Sequence, residues 1–468
     1  MSRRKFILAA TALSLLPATL FAATTPDPQP IQLITLDPGH FHAALVQKFM
    51  YSGVSPVVHV YAPAGDDVAE HLKRIEAYNS RAASPTQPPT SWQERVYTGP
   101  EYLDKMLADR AGNVVVISGN NARKTEYIER AVGAGLHVLA DKPMMIEPAD
   151  YPRLRSAFDV AKKKGVLLGD IMTERYEITN VLQRELARQP ALFGTLEQGT
   201  PANPAITLES VHYFSKIVSG TPLKRPQWFF DVRQAGEGLQ DVGTHLIDLV
   251  QWQAFPEQRL RPESVQVLSA RRWPTALSRA QFSQVTGAHN FPDFLRNDIA
   301  GDTLNVFANG EVTYRLRNVV AKVTARWDFE APPGSGDTHY SVMRGTRAIL
   351  TIRQGAEQNY KPTLYVEKAA NAKANEVEAA LTACIEKLQT TYPGIGFRRE
   401  KNAWIITVPA KYDVGHETHF AQVTGNYLAA IRKGRLPDWE VPGLLTKYAT
   451  LAQAYEMSHA PQTTQSSR

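Results

Sequence analysis

Lys142, Asp241 and His245 have the residue types and the spacing to move protons at a carbon–oxygen bond. Lys142 lies in the run Val138-Leu-Ala-Asp-Lys-Pro143, so an apolar strand delivers its ammonium to the carboxyl edge of a parallel sheet, where nucleotide-binding α/β proteins hold their ligands. Asp241-Val-Gly-Thr-His245 sets a carboxylate and an imidazole at i, i+4, which a helix puts on one face. An imidazole titrating near ~6.5 is suited to take a hydroxyl proton. Asp241 would orient that ring and stabilise the imidazolium, while Lys142 polarises the oxygen as a carbonyl develops.

Other residues could hold ligands around that centre. The strand Ile31 to Leu36 runs into Asp37-Pro-Gly-His-Phe-His42, where Gly39 lets a pyrophosphate approach the backbone at a helix N-terminus and His40 and His42 add donors or line the loop. Only one glycine of the usual three is present. After the next strand, Asp66 or Asp67 could serve the ribose of NAD, and Lys73 or Arg74 a 2′-phosphate, so the choice of nucleotide stays open. Trp228 could stack on a sugar ring, with His212, Lys216, Asp231 and Arg233 bonding its hydroxyls. His339 and His416 are further pocket candidates. His416 and His419 stand at i, i+3 without an evident third ligand, and no metal site is expected, because the zinc-protease motif needs two histidines at i, i+4 around a glutamate.

The elements that must position these residues follow from the hydrophobic pattern. From Ile31 to Leu168, short apolar runs alternate with helical stretches, which predicts an α/β Rossmann domain with a doubly wound parallel sheet over residues 30–172. Its first helix is expected from about Phe41 to Tyr51, and the segment Arg81 to Thr90, rich in proline and small polar residues, reads as a loop. Beyond Ile171, helices give way to runs of strands. This predicts an α+β substrate domain over 173–460 with a large, mainly antiparallel open sheet, an insertion at about 356–412 and a disordered tail over 461–468. A chain of 468 residues also exceeds what one core usually supports.

Residues 1–22 read as an export signal, with Arg3-Arg4-Lys5 before an apolar run, and Ser2-Arg-Arg-Lys-Phe-Ile-Leu8 is similar to the twin-arginine motif. The expected location is the periplasm, with no membrane contact after signal removal. The formal charge of +6 drops by three when those three basic residues leave, and no basic block is interleaved with aromatics, so nucleic acid is not an expected partner. Cys384 is the only cysteine, which excludes an intrachain disulfide and any multi-cysteine metal site.

Three stretches taken in order, Val114-Val-Val-Ile-Ser-Gly-Asn-Asn121, Gly135-Leu-His-Val-Leu-Ala-Asp-Lys-Pro143 and Gly236-Glu-Gly-Leu-Gln-Asp-Val-Gly-Thr-His-Leu-Ile-Asp248, resemble the glucose-fructose oxidoreductase/inositol dehydrogenase family, Gfo/Idh/MocA. The resemblance implies NAD or NADP near Gly39, His40, His42, Ser118, Asn120, Asn121, Asp141 and Lys142, with Lys142, Asp241 and His245 catalytic. Asp141 replaces the family's usual glutamate, and Lys124 stands where a histidine is frequent. The implied activity is oxidation or reduction of a hydroxyl of a sugar or sugar derivative by an exported homo-oligomer. Export favours a tightly held nucleotide, because a dissociable one would be stranded outside the cytosol. The alternatives are a redox-neutral, nicotinamide-dependent glycosidase and a non-catalytic sugar-binding protein on the same fold.

Overall fold

A computed structural model describes residues 30–218 and 221–461; the expected export signal and the tail from residue 462 lie outside the described residues. The first layer alternates β1 (Leu33–Leu36), α1 (His42–Val46), β2 (Val57–Ala62), α2 (Asp66–Ser80), β3 (Gln93–Thr98), α3 (Tyr102–Asp109), β4 (Val114–Ile117), α4 (Lys124–Gly133), β5 (His137–Ala140), α5 (Tyr151–Lys164) and β6 (Leu168–Asp170). All six strands are parallel, in the order β3-β2-β1-β4-β5-β6. The order reverses between β1 and β4, which opens a crevice at their carboxyl ends. Both strands are buried along their whole length, hence their unbroken aliphatic runs.

Two local expectations differ from the structure. Strand β3 has no apolar run to announce it, because its sequence Gln-Glu-Arg-Val-Tyr-Thr lies half-buried or exposed at the sheet edge. Helix α1 stops at Val46 rather than Tyr51. Tyr51 Oη donates to the Val46 carbonyl at 2.7 Å and Trp92 Nε1 to the Gln47 carbonyl at 2.6 Å, taking the acceptors a further turn would use.

The chain then forms α6 (Ile178–Ala187), α7 (Pro190–Phe193), β7 (Ile206–Ser215), the small ribbon β8 (Ile217–Val218) and β9 (Thr221–Pro222), α8 (Val232–Ala235) and α9 (Gly238–Ala254). After these come β10 (Val265–Ser278), α10 (Arg279–Thr286), β11 (Ile299–Ala300), β12 (Thr303–Leu316), β13 (Val319–Glu330), β14 (Thr338–Arg344) and β15 (Ala348–Gln354). The remaining elements are β16 (Thr363–Lys368), α11 (Ala374–Leu388), β17 (Gly396–Glu400), β18 (Ala403–Thr407), α12 (His416–Lys433) and α13 (Glu440–His459). A ten-stranded sheet runs β10-β12-β13-β7-β14-β15-β16-β18-β17, with β11 beside β12. Only the β13–β7 pair is parallel. The segment 356–412 extends this sheet beyond β15, with Val377, Leu381 and Ile385 of α11 buried.

Helix α9 carries the Asp241/His245 motif. Gly238 starts it against β12, where an added Cβ would meet the Ala308 carbonyl at 2.1 Å. Leu246, Ile247, Leu249 and Val250 are buried, each contributing about 1.5–3 kcal/mol, so the helix is anchored and its polar positions are held in place. Helix α12 returns to the first layer: Phe420, Val423 and Leu428 pack with Leu45, Val46 and Val116, and the Tyr427 hydroxyl lies 2.8 and 2.7 Å from the carbonyls of Val138 and Leu167.

Candidate active site

Two cavities meet at the end of the parallel sheet. One, of about 580 Å³, is bounded by the loop after β1, the start of α2 with Asp66, Asp67, Glu70 and Arg74, and Trp228 from the second layer. The other, of about 460 Å³, contains Lys142, Asp241, His245, His212, Lys216 and Asp337. His40, Phe41, Arg225 and Phe229 line both.

The predicted catalytic residues are brought together, with a different pairing. Lys142 Nζ donates to Asp241 Oδ1, whereas among the described residues no hydrogen bond joins Asp241 to His245. A full ammonium charge at the end of β5 outcompetes a neutral imidazole one turn away on the same helix. Asp241 therefore positions Lys142 rather than His245. Burial would raise the Asp241 carboxyl, but Lys142 outweighs it and holds the group below its usual range. His245 Nδ1 is buried without a partner. Burial, reinforced by the Lys142 charge, holds its imidazole well below the ordinary value, leaving it neutral and able to accept a proton.

The residues expected at the nucleotide divide into three groups. Gly39 and His40 donate their backbone N–H groups to the Ser118 carbonyl, both at 3.2 Å, and Gly119 has no room for a Cβ, which would meet the Asp37 carbonyl at 2.0 Å. These contacts hold the loop against the sheet. Asp141 is buried behind it: Ser118 Oγ donates to Asp141 Oδ2 at 2.9 Å, and the Nδ1 atoms of His42 and His40 lie 3.0 and 3.2 Å from the same oxygen. Burial would raise this carboxyl, but the two imidazoles outweigh it and hold it well below its usual range. Lys124 is buried and donates to the Asp141 backbone carbonyl at 2.9 Å; burial lowers it to about 8.

Asn120 and Asn121 differ from expectation. Their side-chain amides donate to Gln234 Oε1 and to the Ala235 carbonyl, each at 2.7 Å, so they clasp α8 of the second layer. Only Asn121 Oδ1 is left buried and unpartnered. Of the four charges weighed for the ribose, Asp67 accepts from Trp228 Nε1 at 2.8 Å and burial raises its carboxyl to about 6, while Arg74 lines the cavity. Lys73 is exposed and lies 3.9 Å from Glu70.

The expected sugar contacts also divide. His212 on β7 and Lys216 just after it line the inner cavity and converge on Asp337 Oδ2 at 3.2 and 2.6 Å. Trp228 instead covers Gly39, where an added Cβ would meet the indole at 3.2 Å and Asp67 at 2.8 Å. Its hydrogen bond to Asp67 turns it toward the nucleotide side and away from the inner cavity. Asp231 caps α8 and pairs with Arg233 at 2.6 Å, and Arg233 also holds Asp298 at 2.8 Å. These two residues position a helix and line neither cavity.

His339, His416 and His419 all line the inner cavity. His339 Nδ1 is hydrogen-bonded with Ser210 Oγ at 2.8 Å, and its Nε2 is buried and free. Sequence reasoning assigned no role to Asp337, Glu174 or Glu177. Asp337 lies inside the reactive-looking stretch Gly336-Asp-Thr-His-Tyr340 and was findable there; the two glutamates sit in a short connection after β6 with no distinguishing pattern. Burial, with Glu177 nearby, raises Glu174 to about 7.

The cleft fits an elongated dinucleotide. The outer cavity lies beside the loop after β1, where the switch in strand order opens the sheet, and it reaches Lys142 through the residues the cavities share.

Comparison with known proteins agrees with this arrangement. A family described as "Oxidoreductase family, NAD-binding Rossmann fold" matches residues 39–170, and one described as "Putative oxidoreductase C terminal domain" matches residues 182–459, more than half of the chain. A solved structure of a "putative oxidoreductase" from Parabacteroides merdae is 50% identical, with a TM-score of 0.89 over 92% of this chain and 98% of that one. A 3-ketoreductase from Actinomadura kijaniata, solved with NADP and TDP-benzene, shares the fold at 14% identity and a TM-score of 0.52, covering 91% of this chain and 96% of its own. Levoglucosan dehydrogenase, solved with NADH and L-sorbose, does so at 15% and 0.54, covering 92% and 98%. An uncharacterized oxidoreductase of Schizosaccharomyces pombe is 31% identical over 155 residues, 33% of this chain and 36% of that protein; the chain spans about a third of the length of the curated relatives it matches. With the two family matches following one another along a fold shared over most of its length, the chain belongs to the Gfo/Idh/MocA oxidoreductases as an NAD(P)-binding member.

Proposed function

We propose that this protein oxidises or reduces a hydroxyl of a sugar or sugar derivative, using a tightly held NAD(P). The observation that carries the reading is the junction at which the Lys142–Asp241 pair and the neutral His245 face a cavity rich in polar side chains. The nicotinamide supplies a hydride acceptor or donor when bound. In the oxidative direction, His245, kept in its neutral form by burial, takes the hydroxyl proton. Lys142, held by Asp241, offers its ammonium to the oxygen as the carbonyl forms. His212, Lys216 and Asp337 form a polar wall suited to neighbouring hydroxyls.

The Trp228–Asp67 bond and the two asparagine contacts to α8 strap the second layer over the nucleotide loop, which supports slow cofactor release. The twin-arginine pattern of residues 2–8 supports export after folding, with the cofactor already in place. A second reading, redox-neutral cleavage of a glycoside, draws support from the His212–Asp337 pair, which would give the cavity a base beyond His245.

The test is direct. Mature protein from a periplasmic fraction is denatured, released nucleotide is identified by mass spectrometry, and sugars and glycosides are screened for nicotinamide reduction and for bond cleavage. Nucleotide near one per chain with reduction by a sugar supports the proposal. A protein that neither retains nor binds NAD or NADP overturns it in favour of sugar binding without catalysis.

A further inference from the structure

The residues that interrupt the glycine fingerprint converge on one point. His40 and His42 come from the loop after β1 and Asp141 from the end of β5, about a hundred positions later. One nitrogen of each imidazole and one carboxylate oxygen lie within 4.8 Å of one another, with Nδ1-to-Oδ2 separations of 3.2 and 3.0 Å. Ligand-to-metal distances of about 2.0–2.2 Å around a first-row dication place neighbouring ligand atoms roughly 3–3.5 Å apart, so small shifts would close the set around an ion. A second observation points the same way. Asp141 is 3% exposed, and its Oδ1 is buried without any partner. An orphaned carboxylate oxygen costs desolvation that a cation would offset.

The surroundings resemble a supported metal site. Ser118 Oγ and Lys124 Nζ donate to the Asp141 side chain and backbone, fixing the carboxylate. His40 also lines both the outer and the inner cavity, so one side of the trio faces the space they share. Two imidazoles and a carboxylate favour a transition ion over magnesium or calcium, which prefer oxygen donors throughout.

We propose that His40, His42 and Asp141 bind one divalent first-row transition ion, of which zinc is the simplest case, beside the Lys142–Asp241 pair. The competing arrangement is a metal-free network in which both imidazoles donate to Asp141.

The experiment uses the mature full-length chain, purified without chelator. Metal content is measured by elemental mass spectrometry, and Zn²⁺ and Co²⁺ are titrated in, the latter followed by its visible absorption. The expected result is about one equivalent per chain, with Co²⁺ displaced by Zn²⁺ and affinity lowered ~100-fold or more in His42→Ala and Asp141→Asn. His289→Ala, which removes an exposed imidazole, leaves affinity unchanged. X-ray absorption of the zinc-loaded native chain covers the case in which a variant fails to fold, and should show imidazole nitrogen scattering at about 2.0–2.1 Å. Equal affinity in His42→Ala, or no imidazole scattering, overturns the site. Nucleotide released from the same samples reports on the proposed function separately: metal without nucleotide leaves this inference standing, and nucleotide without stoichiometric metal overturns this inference alone.

Discussion

Two clusters of buried polar and charged groups share one face of α9, one around Asp248 and one around Asp241 and His245, and they are finished differently. Around Asp248, Arg175 grips that carboxylate with two bonds of 2.6 and 2.7 Å and Glu440 at 2.9 Å, while the fully buried Lys447 bridges Asp170 at 2.7 Å and Asp248 at 2.9 Å. Every charge there has an opposite partner. In the other cluster, His245 Nδ1, His339 Nε2, Asp141 Oδ1 and Asn121 Oδ1 are buried with none. An ionic cluster with all its partners tolerates burial and ties β6, α9 and α13 together, whereas a polar atom buried unpaired lowers stability unless a ligand completes it. The first cluster therefore reads as scaffold, and the second as a site shaped for something to bind.

That contrast can be broken from either end. The largest expected effect is on the site side: His245→Asn should lower sugar-dependent nicotinamide reduction ~10²–10⁴-fold while changing unfolding free energy by no more than about 1 kcal/mol. Stopped-flow assays and denaturant titration on the same preparation check both halves, and unchanged turnover would remove His245 as the base. Lys447→Met should do the reverse. It leaves Asp170 and Asp248 buried without their shared cation and should cost about 3–5 kcal/mol, read as a lower denaturation midpoint.

A smaller effect comes from pH. Burial depresses His71 to about 3 and His419 to about 4, and both are less than a tenth exposed. The unfolded chain binds protons at these positions below about 6.5 and the folded chain does not, so stability is complete above that value and falls as the medium is acidified. At pH 5 each should have lost roughly 2 kcal/mol, and His71→Leu should flatten the denaturation profile between pH 7 and 5 by that amount. The same sign applies to His245, so the acidic limb of the rate profile should lie below pH 6.5. The smallest change is expected for Trp228→Phe. It removes the bond to Asp67 but keeps an aromatic cover on Gly39, and nucleotide release should quicken about fivefold, about 1 kcal/mol for one hydrogen bond.

Much of the site was legible because its residues sit at places local pattern defines. Lys142 follows an unbroken apolar strand, and Asp241 and His245 occupy one face of a helix that also buries Leu246, Ile247, Leu249 and Val250. His212 and Lys216 likewise line the inner cavity. The errors share a cause. Trp228, Asp231 and Arg233 read as sugar contacts from their chemistry, yet Asp67, the α8 N-terminus and Asp298 had already claimed them. Asn120 and Asn121 were likewise taken up by Gln234 and Ala235. Competition among partners distant in sequence leaves no trace in spacing.

The amino-acid sequence by itself determined the two layers and their order, because strand and helix periods are local and short apolar runs alternating with helical stretches build a buried parallel sheet. It also determined which ends of those elements carry lysine, aspartate and histidine. Only the tertiary structure decided that Asp241 pairs with Lys142 rather than His245, that Asp141 gathers His40 and His42, and that Arg175, Asp248 and Lys447 compensate one another. Electrostatic pairing depends on distance through space and on burial, and both are set when the layers close on each other.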